Sequence, residues 1–184
     1  AGKEGIDELD AQVREHSEGR EMTANILPSA SAEKHYPIAF NLIPQIDVFC
    51  DNLYTKEEMK MVNETKKIME DYEMRITATT IRVPVYRSHS ESVNIELEKE
   101  VDLGAMREAL AKFPGVTVQD DPSKQEYPMP LYTSEKDDVY VGRLRRDESW
   151  EKSYNMWVVG DQIRKGAALN TLQIAETMIK NGWI

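Results

Sequence analysis

Residues 80–97 read TIRVPVYRSHSESVNIEL. Two runs of alternating apolar residues, Ile81-Val83-Val85 and Val93-Ile95-Leu97, predict half-buried strands. Between them stands YRSHSE, and Arg82 stands inside the first run. Alternation sends Arg82 to the face opposite Ile81 and Val83. His89 falls seven residues later, and a bend in the serine-flanked segment would re-aim it, as interrupted strands often do. An arginine within a strand and a histidine at its break are the two places where this sheet departs from a purely structural pattern.

Around this stretch, the order of elements predicts an α/β (α+β) domain with a mixed β-sheet and helices packed mainly on one face. Gly2 to His16 reads as an amphipathic helix with Ile6, Leu9 and Val13 on one face. It opens with no cap beyond Gly2, which reads as a chain entered mid-structure. Residues 17–36 are aperiodic and rich in Ser, Ala, Gly and Pro, a loop or crossing arm. Residues 37–50 are apolar but broken by Pro44, predicting two short strands or a strand and a turn. Thr55 to Glu70 is a helix with a Thr55/Glu58 capping box and Met59, Val62 and Met69 near one face. Asp102 caps a helix to Phe113, with Met106, Ala109, Leu110 and Phe113 inward, stopped by Pro114-Gly115. A strand at Val116–Val118, a Pro-containing loop over 120–136, strands at 139–144 and 155–159, and a helix from Asp161 to Asn181 complete the reading. That last helix has an apolar face of Ile163, Ala168, Leu172, Ala175 and Ile179.

Composition excludes several functions. The 184 residues suffice for one domain with a core, and a net charge of −10 argues against nucleic acid, whose phosphates call for Lys and Arg. Mean hydropathy is −0.59, and no run of 18 apolar residues offers a membrane span. The opening AGKEGIDELD has neither the basic start nor the apolar core of a signal peptide. The single Cys50 rules out an internal disulfide and any cysteine-based zinc cluster, and it ends an apolar run as a buried thiol. The expectation is a soluble, acidic, cytoplasmic domain without a metal.

Four features carry possible chemistry, each beside a plainer reading. Arg82 offers a planar fork matched to carboxylate or phosphate, or is an exposed strand arginine. His89 has the side chain of a proton shuttle, or is a loop histidine bonded to its serine neighbours. Glu57 and Lys60 share a face in the first turns of their helix, near an N-terminus that favours anions. With Glu64 and Lys67 they also read as a solvated salt-bridge stripe. In VVGDQIRKGAALN (158–170), Gly166, Ala167 and Ala168 permit close approach of a backbone or a flat ligand, or simple helix packing.

Taken together, AGKEGIDEL, AFNLIPQIDVF, YTKEEMKMVNETKKIM, IRVPVYRSHSESVNIE, FPGV, VYVGRLRRD and MWVVGDQIRKGAALNTLQIAE resemble aspartate-β-semialdehyde dehydrogenase of the Gram-positive type, in the family's order from residue 1 onward. The resemblance covers only the C-terminal substrate-binding and dimerisation domain, whose fold is like that of glyceraldehyde-3-phosphate dehydrogenase-type enzymes. It implies that an N-terminal Rossmann domain, carrying the NADP site and the nucleophilic cysteine, is absent from residues 1–184. The chain alone is then not expected to turn over, and residues 161–184 would pack towards that domain. It further implies that Arg82 grips the substrate α-carboxylate, His89 is the acid/base, Glu57 meets the substrate amino group and Lys60 binds phosphate. Gln162, with Asn170 as a second candidate, would contact the nicotinamide end of NADP. The implied reaction interconverts L-4-aspartyl phosphate and L-aspartate 4-semialdehyde in lysine, threonine and methionine biosynthesis, in a homodimer. Two alternatives stay open: another acyl-phosphate reductase such as the N-acetylglutamyl type, and a non-catalytic dimerisation or interaction module.

Overall fold

The computed structural model describes residues 2–184, and the chain divides into two units, one ending at Tyr86 and one beginning at Arg87. The first unit is built on α1 (Gly2–Ser17) and α2 (Lys56–Ile68). Helix α1 is amphipathic as its sequence predicts, but the buried stripe is Gly5, Leu9 and Gln12, leaving Ile6 and Val13 exposed. The reason is the arm that follows. Residues 19–40 form no regular element, so their backbone groups need other partners. Helix α1 supplies them: Gln12 Oε1 accepts from the Ile38 and Ala39 amides, and Gln12 Nε2 donates to Thr23 O. Glu8 accepts from Asn25 N and Ile26 N, and Glu15 from Thr23 N. Leu9 then joins Leu27, Ile38, Ala39 and Ile43 in a small core.

The two strands expected around Pro44 and over 81–85 shrink to isolated bridges. Ile43 and Arg82 exchange both backbone bonds (3.1 and 2.9 Å), and Phe49 bridges Thr55. Pro84 falls at the next hydrogen-bonding position on one side of the bridge and cannot donate there, and on the other side Gln45 N turns to Ile43 O and Thr80 N to Glu58, so pairing stops. The alternation of Ile81, Val83 and Val85 is therefore inverted: these three are exposed and Arg82 is half-buried. Helix α2 begins with the expected capping box, in which Glu58 N donates to Thr55 Oγ1 and Thr55 N to Glu58 Oε2.

The second unit contains β1 (His89–Glu96), α3 (Leu103–Lys112), β2 (Val116–Val118), the four-residue α4 (Pro130–Thr133), β3 (Val139–Arg146), β4 (Ser153–Gly160) and α5 (Leu169–Lys180). The four strands form one mixed sheet in the order β1-β4-β3-β2, antiparallel except for the parallel β2/β3 pair. Met106 of α3 packs with Val141, Leu144 and Tyr154 on one face, with Ile95, Met156 and Val158 beside them. Ala109 and Phe113, expected inward, are exposed, because α3 is only ten residues long and meets the sheet along a narrow stripe about Met106 and Leu110. Tyr154 is fully buried, and its hydroxyl both donates to Val101 O and accepts from Val101 N, at 2.7 Å each. At Gly142 a Cβ would collide with Gln119 O and come within 2.6 Å of Pro128 Cδ, so the crossing of the 119–128 segment requires glycine there.

Two element boundaries differ from expectation and both bear on the site. The segment YRSHSE is not a loop between paired strands: β1 starts at His89 itself, opposite Gly160 of β4. The helix expected from Asp161 is a wide π turn (Arg164–Ala168) leading into α5, with Gly166, Ala167 and Ala168 exposed. Leu172, Ile174 and Ile179 of α5 are exposed as well.

Candidate active site

In the first unit the bridge to Ile43 fixes the Arg82 backbone, and Arg82 Nε donates to Pro28 O at 2.8 Å. That bond engages Nε and not the two terminal nitrogens of the fork. Burial lowers the proton affinity of Arg82, and the negative charge of Glu57 works against that effect. A guanidinium so placed stays charged while shedding part of its hydration. Glu57 in turn lies 3.8 Å from Lys60, one turn along α2. Arg82, Glu57 and Lys60 thus share one electrostatic neighbourhood, with the carboxylate common to both cations. The expected contact of Glu57 and Lys60 is present, and Glu64 and Lys67 are exposed.

One residue that the sequence did not single out for chemistry fixes this neighbourhood. Glu58 is buried, and its two oxygens accept from Thr55 N and Thr80 N at 2.8 Å each. Those two amides hold its carboxyl below the usual carboxylate range, against the opposing effect of burial. Glu58 therefore links the start of α2, and so Glu57, to the segment that carries Arg82. The capping-box spacing revealed one of its two bonds; the Thr80 bond, 22 residues away, leaves no local signal.

In the second unit His89 is exposed at the first position of β1. Ser88 before it is buried and left-handed (φ 76°), an unusual conformation for a residue with a side chain. Its amide donates to Gln162 Oε1 at 2.9 Å, and its hydroxyl lies 3.2 Å from the hydroxyls of Thr133 and Ser134. Gln162 is thus tied to the residue adjoining His89, and Asn170 sits beyond the π turn, half-buried in the first turn of α5.

Beneath this turn lies Asp161, with no exposed surface. Its Oδ1 accepts from Ile163 N and Arg164 N at 2.9 and 3.1 Å, and its Oδ2 accepts from Glu135 N at 2.7 Å. Arg87 Nε stands 2.6 Å from Oδ2 as an ion pair, without the alignment of a good hydrogen bond. Burial alone would raise its proton affinity, but the three amides and Arg87 together hold it below the ordinary aspartate value. The sequence marks Asp161 as a helix start; its pairing with Arg87, 74 positions earlier, is a product of the β1/β4 register. Cys50, expected to be buried, is only half-buried, its amide donating to Tyr54 O. Among the described residues no helix is long and apolar enough to cross a membrane.

Comparison with known proteins gives these features a context. Residues 1–165 match the model of the family described as semialdehyde dehydrogenase, dimerisation domain. The chain is 48% identical over 184 residues to aspartate-semialdehyde dehydrogenase of Aquifex aeolicus, covering all of this chain and 52% of that protein. It is 48% identical over 181 residues to the Bacillus subtilis enzyme of the same name, covering 98% and 52%. Among solved structures, aspartate semialdehyde dehydrogenase II of Vibrio cholerae, complexed with ASA, superposes with a TM-score of 0.87 at 40% identity, over 97% of this chain and 50% of that one. The chain spans about half the length of the curated relatives it matches.

Proposed function

The chain belongs to the family of semialdehyde dehydrogenase dimerisation domains, and on that premise we propose that it is the substrate-binding and dimerising half of an NADP-dependent, cytoplasmic aspartate-semialdehyde dehydrogenase. The reaction is L-4-aspartyl phosphate + NADPH + H⁺ giving L-aspartate 4-semialdehyde, phosphate and NADP⁺. The dinucleotide-binding half and the nucleophilic cysteine come from outside residues 1–184, and two copies of this chain meet in a homodimer.

The observation that supports this reading best is the Arg82–Glu57–Lys60 group. An amino acid with a phosphorylated side chain presents a carboxylate, an ammonium and a phosphate, and the group offers a fork, an anion and a point cation. Arg82 pairs with the α-carboxylate, where a bidentate contact orients as well as binds. Glu57 receives the ammonium, and Lys60 holds the phosphate. His89 takes the proton of the attacking thiol and returns one to the tetrahedral adduct. NADPH supplies the hydride, and on this chain Gln162 Nε2 and Asn170 are the groups that would face its carboxamide.

Glu57 separates this reading from an N-acetylglutamyl-type reductase, whose substrate has no free ammonium. In the complete enzyme, Glu57→Gln is expected to lower kcat/KM for the free amino aldehyde at least tenfold more than for its N-acetylated analogue. Equal loss on both substrates would remove Glu57 from that role.

A further inference from the structure

We propose that Gln162 is a positioning residue for His89, acting through the Ser88 amide, with Asp161 and Arg87 as the anchor of that device. This rests on His89 being the acid/base of the proposed reaction, and it assigns to Gln162 a task separate from any contact with the cofactor.

The geometry has three parts. Ser88 is left-handed and buried, so the chain makes a sharp, unfavourable turn immediately before His89. A buried amide in such a turn needs an acceptor, and Gln162 Oε1 is that acceptor, at 2.9 Å. The residues flanking this bond are then fixed from below. Arg87, before Ser88, pairs with Asp161, and Asp161 is immobilised by three backbone amides from the Glu135 loop and the start of the π turn. Asp161 and Gln162 are adjacent in sequence, so one two-residue segment at the end of β4 grips both residues that precede His89. On the other side, His89 itself is held in register by β4, opposite Gly160. His89 is exposed, while the segment that aims it is tied at three successive positions, through the Arg87 side chain, the Ser88 amide and the His89 register. This is the arrangement that keeps an exposed proton-transfer group within the narrow range of productive geometries.

The oxygen and the nitrogen of the Gln162 amide therefore have different consequences. The oxygen serves Ser88, so its removal disturbs the proton-transfer step and lowers kcat. The nitrogen serves a carboxamide, so its removal raises the cofactor KM.

The complete enzyme, in which this chain follows its dinucleotide-binding half, can be compared as wild type, Gln162→Met, Gln162→Glu and His89→Gln. Met keeps the length and loses both polar atoms, whereas Glu keeps an acceptor and loses the N–H donors. Gln162→Met is expected to lower kcat by about tenfold to a hundredfold, the range that misplacement of a catalytic group by about 1 Å produces. Gln162→Glu is expected to recover kcat to within about threefold of wild type while its KM for the cofactor rises. Hydrogen exchange at the Ser88 amide should be fast in Gln162→Met and slow in Gln162→Glu, a readout independent of turnover. A kcat as low in Gln162→Glu as in Gln162→Met, or slow Ser88 exchange in Gln162→Met, would overturn the inference. His89→Gln separates the two levels: an inactive His89→Gln beside a fully active Gln162→Met refutes positioning alone. A His89→Gln enzyme with wild-type kcat refutes the acid/base reading on which it rests.

Discussion

Replacing Asp161 by Asn removes one charge and changes almost no volume, so its cost follows from the contacts alone. The carboxylate accepts three backbone N–H groups and faces Arg87. An Asn side chain has one oxygen and one NH2. If the oxygen takes the Oδ1 place, the bonds to Ile163 and Arg164 survive, and the NH2 is set against Glu135 N and Arg87. Two interactions of an ionised acceptor are then lost, and the new NH2 donor confronts two other donors. A hydrogen bond to a charged group is worth about 1.5–3 kcal/mol and breaking a buried pair costs about 3–5 kcal/mol; since both contacts are made by the one Oδ2, they overlap, and the larger figure, roughly 3–5 kcal/mol, sets the destabilisation. Because the Arg87 side chain keeps 26% of its surface exposed and can recover some hydration, the lower end is expected. The pH dependence sharpens the test. The folded pKa of Asp161 is lowered, so its contribution is present above the unfolded value, near 3.9, and is lost as pH falls through the folded value. Urea unfolding of wild type and Asp161→Asn, followed by the Trp signal, should show a gap that is full at pH 7 and narrows below about pH 4. A gap below 1 kcal/mol at pH 7, or one that stays constant into acid, refutes the reasoning.

Other outcomes follow from single contacts. Tyr154→Phe leaves both backbone groups of Val101 without their partner and should cost about 1–3 kcal/mol in the same unfolding assay; an unchanged midpoint would show that water replaces the hydroxyl. Gly142→Ala places a methyl group against Gln119 O and Pro128, and should lower the melting temperature by several degrees. A melting temperature equal to wild type would mean that the 119–128 segment moves aside freely. Glu58→Gln keeps an oxygen for one amide and loses the charge that serves both, so it should weaken the anchoring of the Arg82 segment. Faster hydrogen exchange at Thr80 N is the expected sign, and unchanged exchange would contradict the link.

Local signals carried far into this fold, and they stopped where long-range pairing began. The Thr55/Glu58 box and the Asp102 cap lie where their spacing puts them, because a cap is decided within four residues. The mixed sheet is legible from the order of helices and strands along the chain, with the apolar runs 139–144 and 155–159 marking β3 and β4. The 81–85 run misled, because its alternation faces solvent in this chain, and Pro84 on one side and the Thr80–Glu58 bond on the other limit it to one bridge. Helix α1 is legible, but of its expected face Ile6, Leu9 and Val13 only Leu9 is buried. Gln12, Glu8 and Glu15 serve an irregular arm, and polar residues used in that way carry no hydrophobic period. The candidate site shows the same division. Arg82, Glu57, Lys60, His89, Gln162 and Asn170 were accessible as motif residues of a resembling family. Arg87, Ser88, the Thr80 amide and the long-range pairing of Asp161 became visible only through register and burial, since each joins partners tens of residues apart.

The most direct test of the proposed function is the rate of NADPH formation from L-aspartate 4-semialdehyde, phosphate and NADP⁺ by the complete enzyme and by its His89→Gln variant. The account predicts turnover in the complete enzyme and a loss of at least about a hundredfold in kcat for His89→Gln, as removal of a general acid/base produces. Turnover that survives the substitution would contradict His89 as the proton-transfer group, and no turnover in the complete enzyme would contradict the function itself.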